Sequence, residues 1–218
     1  MDMLTFAEEI YLLALDDVSG RIQLSSRDII IDSVLVGAVL SELAFMNRID
    51  NDAEYIYVLN TESTSSVILN TVLDKFSEAE SDKFTIQHAM RVLMRDARKI
   101  EKLVLGELID KGILKMEEER IFWIFSSRRY PVINDKEIVD VETRLRRIVL
   151  SDEIPDPQDA VLISLVDACD LFREILSPRE FSRSEKRIAE LSKLDLVGQK
   201  VKQLITQIQE YANIQPYV

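Results

Sequence analysis

The chain has 218 residues, 47% of them hydrophobic, with 5 Gly, 5 Pro and a single Cys. That length allows one large domain or two small ones, and the composition excludes general disorder, a disulfide framework and a many-turned β sandwich. The formal net charge of −12 is uneven: residues 1–80 carry 15 acids and 4 bases, net −11, and the remainder 24 acids and 23 bases, net −1. An anionic partner is repelled by the first third and can approach only the rest. The start, Met1-Asp2-Met3, lacks the basic region of a signal peptide and the Gly needed for myristoylation. No run approaches the roughly 20 apolar residues of a spanning helix.

In chain order, Thr5 and Glu8 form a capping box that opens a helix, and Gly20 closes the turn after Asp16-Asp17. Residues 28–47 read as a second, strongly apolar helix in which Gly37 and Ala38 permit close approach of another helix. Residues 55–59 suit a short strand and residues 67–76 a helix. A long helix is predicted from Thr85 to Lys111, with Gly112 as the residue that stops it. Asn134 or Asp135 caps a helix to Leu150, residues 159–176 form another core helix, Pro178 starts one to Leu191, and Asp195 caps a last one to about Ala212. Residues 151–157 are the best linker but too short to separate domains. The reading is a single, mainly helical domain over residues 1–218.

Five bulky apolar residues, Ile121, Phe122, Trp123, Ile124 and Phe125, stand bare between Glu117-Glu118-Glu119-Arg120 and Arg128-Arg129. They are expected to pair as a strand with Ile113-Leu114-Lys115-Met116 around a turn at Glu118-Glu119. Strand alternation then puts Phe122 and Ile124 on one face and Trp123 and Phe125 on the other. One face can rest on the domain, while the other is left for lipid or a second protomer. Arg128 and Arg129 suit the headgroup level of an anionic membrane. The alternative is a strand packed wholly on its own domain.

Arg91, Arg95, Arg98 and Lys102 fall at helical spacing on one face, and a row of guanidinium groups is a good phosphate receptor. The competing reading is a set of salt bridges to the acidic first third. Cys169 lies in an apolar helical stretch and reads as a core residue. His88, the single histidine, reads as a helix-surface residue with no nucleophile motif near it. No phosphate loop, dinucleotide fingerprint or metal motif is present, so no cofactor, metal site or catalysis is expected. A helix, a Gly-ended turn and a hairpin over residues 108–125 also describe a winged helix, but the acidic first third opposes DNA binding.

The segments quoted next resemble the Golgi phosphoprotein 3 family. Leu4-Thr5-Phe6-Ala7-Glu8-Glu9-Ile10-Tyr11-Leu12-Leu13-Ala14-Leu15-Asp16-Asp17 with Gly20 is similar to its opening helix. Glu42-Leu43-Ala44 and Asn47-Arg48-Ile49 resemble its second helix, and Leu108-Ile109-Asp110-Lys111-Gly112-Ile113-Leu114 the end of its long helix. Phe122 to Phe125 with Pro131 resembles its hairpin, and Asp167-Ala168-Cys169-Asp170 a later core helix. Order and spacing together carry the resemblance. It implies a helical bundle surrounded by further helices with a protruding β-hairpin, and no catalysis.

In eukaryotic members it further implies binding of phosphatidylinositol 4-phosphate on the cytosolic face of the Golgi and retention of membrane-protein clients. The hairpin there serves membrane contact and self-association. The lipid pocket of those members uses one Trp and three basic residues. The Trp position falls at residues 25–27, where no aromatic stands; the basic positions fall on Val36, Arg98 and Glu101. Only Arg98 matches, with Arg95 and Arg27 as substitutes for the others, so weak headgroup selectivity is expected. The long basic N-terminal segment of eukaryotic members is also absent from this sequence. The function expected is that of a cytoplasmic, peripheral membrane protein binding anionic lipid. The alternatives are a protein-binding scaffold without a lipid ligand and the winged-helix reading.

Overall fold

The computed structural model describes the backbone of residues 4–16, 19–22, 27–121 and 125–214, and their side chains except at 27–28, 119–128 and 208–214. Helix α1 (Phe6–Ala14) opens on the expected capping box: the Glu8 amide donates to Thr5 Oγ1 at 3.3 Å, and the Thr5 amide to Glu8 Oε2 at 2.8 Å. All nine residues of α1 are buried, so it is an internal element and not an amphipathic surface helix. Helix α2 (Arg27–Phe45) lies at the centre. It packs on α1 and on the later helices α3 (Val67–Ser77), α4 (Ile86–Leu93), α5 (Ala97–Asp110), α7 (Pro157–Ala168) and α10 (Leu196–Ile214). Gly37 makes the α2–α10 approach close, since a Cβ there would meet Val201 Cγ2 at 2.3 Å. One continuous apolar cluster draws residues from every helix, including α6 (Lys136–Leu150), α8 (Phe172–Ile175) and α9 (Pro178–Leu191).

The fold is mainly α, as expected, but several boundaries differ. The helix expected over residues 85–111 is two helices, α4 and α5, joined by a 3₁₀ turn at Met94–Asp96. Asp96, a poor interior helix residue, stands at the break and pairs with Lys75 at 3.4 Å. The helix expected over 159–176 ends at Ala168, because Asp170 turns the chain with a φ of 59°, and α8 follows as a short separate helix. An aspartate tolerates that left-handed conformation better than the apolar residues around it. Strand β2 (Tyr55–Val58) matches the expected strand. Its antiparallel neighbours β1 (Ile49–Asn51) and β3 (Lys83–Thr85), three residues each, were not predicted. Strands that short give no periodicity to read.

Candidate functional site

The hairpin is present with a different register from the one expected. Its strands are β4 (Glu117–Ile121) and β5 (Phe125–Arg129), paired from Glu117 with Arg129 to Ile121 with Phe125. Among the described residues, 113–116 do not pair with the apolar run; Leu114 makes an isolated bridge to Val132 instead. Glu118 and Glu119, expected to turn, lie inside β4. Charge explains the shift: the observed register sets Glu117 and Glu118 opposite Arg129 and Arg128, with a Glu117–Arg129 ion pair at 2.6 Å. Phe122, Trp123 and Ile124, whose alternation was predicted, lie outside the described residues, as do the side chains of Phe125 and Arg128.

Beyond its own ladder the hairpin is tied down at its base. The Tyr130 amide donates to the Gly20 carbonyl at 2.8 Å, and Gly20, at a φ of 62°, leaves no room for a Cβ against the Tyr130–Pro131 backbone. Tyr130 in turn lies near Tyr11 of α1. Burial pushes the Tyr11 phenol well above its ordinary range, and nearby Glu101 and Tyr130 push it further. The Tyr11 hydroxyl donates a long hydrogen bond of 3.4 Å to Glu101 Oε1. Glu101 Oε2 accepts from Arg98 Nη1 at 3.1 Å, and Arg98 Nε lies 3.7 Å from Asp32 Oδ2 on α2. The hairpin base, α1, α2 and the first turns of α5 therefore meet in one region.

Arg98 thus stands between two carboxylates that are themselves largely shielded, with side-chain exposures of 13% for Asp32 and 16% for Glu101 against 51% for Arg98. Val36 is fully buried and offers nothing to a ligand. The side chain of Arg27 lies outside the described residues. Arg91, Arg95, Lys99 and Lys102 are exposed, and among the described residues none of them makes an ion pair. Of the two readings of this helix, salt bridging describes Arg98 and a solvent-facing cationic surface describes its neighbours.

A second polar region lies around the start of α1. The buried Glu8 meets Lys111 Nζ at 2.5 Å, and the Phe6 amide donates to Glu42 at 3.0 Å. Arg144 links α1 to α7 by reaching Glu9 at 2.8 Å and Asp159 at 2.7 Å. Glu9, Glu42, Lys111, Arg144 and Asp159 border an open cleft of about 490 Å³ that Leu4, Phe6, Ile113 and Val141 also line. Burial pushes the Glu9, Glu42 and Asp159 carboxyls above their ordinary values; Arg144 pulls Glu9 and Asp159 partly back. Sequence reasoning missed the Glu8–Lys111 and Glu9–Arg144 pairs because their partners stand 103 and 135 residues apart in the chain. The one available signal was the charge imbalance of the first third.

The remaining reactive groups are poorly placed for chemistry. Cys169 is buried in the core, which pushes its thiol up to about 12, and thiolate nucleophiles need the opposite shift. His88 is exposed on α4 and stacks on Phe84. Among the described residues no group of three His, Cys, Asp or Glu could hold a metal ion, and no helix is long and apolar enough to cross a membrane. Helix α5, which would be the recognition helix of a winged-helix module, buries Ala97, Ile100, Val104, Leu105 and Leu108 in the core.

No curated protein matches the chain. The family model for Golgi phosphoprotein 3 (GPP34) matches residues 6–208, from the first residue of α1 into the last helix. That span takes in the buried α1, the central α2, the α5–hairpin unit and the core helices beyond it, and the chain belongs to the Golgi phosphoprotein 3 (GPP34) family.

Proposed function

We propose that this chain is a non-enzymatic peripheral membrane protein, a single Golgi phosphoprotein 3-like domain that contacts anionic lipid. The observation that carries the reading is the register of the hairpin. Its register sets Glu117 opposite Arg129, with an ion pair between them, and Glu118 opposite Arg128, and the last paired positions are the apolar Ile121 and Phe125. The sequence between those positions, Phe122-Trp123-Ile124, has the composition that suits a bilayer interface, where aromatic side chains settle at headgroup level. Exposed Arg95, Lys99 and Lys102 supply cations, each worth about 1 kcal/mol near an anionic surface. Arg128 and Arg129 add to them, though Arg129 is partly neutralised by Glu117.

Family membership supports localisation at the cytosolic face of Golgi membranes in a eukaryotic cell, self-association through the hairpin, and retention of membrane-protein clients. Flotation with vesicles of neutral lipid alone, and with added phosphatidylserine, tests the reading. The wild-type chain should float with the anionic vesicles only, and changing Trp123 and Phe125 together to Ser should abolish flotation while thermal unfolding stays cooperative. Equal and negligible flotation in both mixtures would leave a protein-binding scaffold. Unfolding of the double variant would return the apolar run to the core.

A further inference from the structure

The cleft beside the start of α1 carries more negative charge than the described residues neutralise. Six carboxylates on or next to α1, α2, α6 and α7 line it, against two cations, Lys111 and Arg144. Both cations are committed: Arg144 to Glu9 and Asp159, at 2.8 Å and 2.7 Å, and Lys111 to Glu8, which lies outside the lining. Glu42, Glu137 and Asp140 line the cleft and make no ion pair among the described residues. Glu137 Oε2 is in addition buried, with no hydrogen-bond partner among the described residues. A buried acceptor without a donor is costly, so it marks a place where a donor fits. Apolar side chains line the same space, Phe6 and Val141 among them, and its volume of about 490 Å³ is that of a small-molecule pocket.

We infer that this cleft binds a small amphipathic organic cation, a primary ammonium on an apolar body. The ammonium donates to Glu137, Glu42 and Asp140 supply further negative charge, and the body lies against Phe6 and Val141. An ammonium has three donors and no acceptor, which is what an unpaired carboxylate requires. The excess of carboxylates repels an anion. A neutral alcohol can donate to Glu137 but leaves the charge uncompensated. A bare metal ion is a poorer occupant: among the described residues no three carboxylates converge as metal ligands do, and the apolar walls would gain nothing from it. The hairpin and the exposed cations of α5 take no part, so the cleft is independent of membrane contact.

Calorimetric titration of the full chain with three probes tests this. Phenethylammonium carries the charge and the body, phenethyl alcohol the body alone, and methylammonium the charge alone. The first should bind about tenfold or more tightly than either of the others, since a charged hydrogen bond and the burial of a phenyl ring are each worth at least that factor. Glu137→Gln keeps the side-chain shape and should weaken phenethylammonium about tenfold. Asp140→Lys, at an exposed position, should also weaken it about tenfold or more by reversing a charge at the cleft. The unfolding midpoint of both variants is measured, and if Glu137→Gln fails to fold, Asp140→Lys decides alone. Wild-type affinity in either folded variant overturns the inference. So does equal binding of the amine and the alcohol, equal binding of methylammonium, or no heat of binding from the wild type with millimolar phenethylammonium.

Discussion

Helix α5 carries cations at both ends, and the two ends use them differently. Past its C-terminus Lys111 points at Glu8, a carboxylate with no solvent exposure on a helix that is itself buried. Near its N-terminus Arg98 is paired, but Arg95, Lys99 and Lys102 around it are exposed and unpaired among the described residues. The same residue type therefore serves the fold where a shielded carboxylate of the first third faces it, and is left to the surface where none does. The acidic first third does more than repel anions; it decides which later cations remain available.

Breaking a pair at the buried end should cost most. Lys111→Met strands Glu8 with only Thr5 to satisfy it, and urea unfolding should show a loss of about 3 kcal/mol. Arg144→Met should cost less, about 2 kcal/mol, because Arg144 is 38% exposed and water reaches Glu9 and Asp159 once it is gone. A change of under about 0.5 kcal/mol for Lys111→Met would show that Glu8 is not in fact stranded.

The pH profile sharpens the same comparison. Burial raises the carboxyls of Glu9, Glu42, Glu107, Asp159 and Asp195 above ordinary values of 4.5 for Glu and 3.8 for Asp. Groups raised on folding stabilise below their unfolded values, and that contribution is lost as pH rises through the raised ones. The unfolding midpoint should therefore rise as pH falls from about 7 toward about 5. Asp52, Glu117 and Glu180 are lowered by hydrogen bonds, from the Glu54 amide, Lys115 and Ser177 respectively; their contribution disappears on further acidification and turns the profile down. Arg144→Met should steepen the rise, since Glu9 and Asp159 lose the charge that holds them down. A midpoint that falls steadily from neutral pH would contradict this ordering. The smallest effect is expected from Lys102→Met, within about 0.5 kcal/mol of wild type in stability.

Local chemistry was legible in the sequence and long-range chemistry was not. Thr5 and Glu8 announce the start of α1 because a capping box is completed within four residues. Gly37 announces a close helix contact because only its missing side chain admits Val201. The hairpin was legible as an element but not in register. Its apolar run suits a strand by propensity, and Ile121 and Phe125 do lie in strands, but the charges that set which residues pair, Glu117 opposite Arg129, stand outside that run. Arg98 was legible as a candidate, but Asp32 and Tyr11, which decide what it does, lie more than 60 residues away in the chain. The break at Met94–Asp96 had only Asp96 to mark it, in a sequence whose apolar spacing, Leu93, Ala97 and Ile100, continues through it.

The most direct test of the division between paired and unpaired cations is a side-by-side flotation of two variants on vesicles containing phosphatidylserine. One carries Arg95→Glu, Lys99→Glu and Lys102→Glu; the other carries Arg98→Ala. The triple variant should lose most of its flotation with little change in unfolding midpoint, and Arg98→Ala should float like the wild type. Full flotation of the triple variant together with loss in Arg98→Ala would contradict the account, placing lipid contact on the very cation that the carboxylates hold.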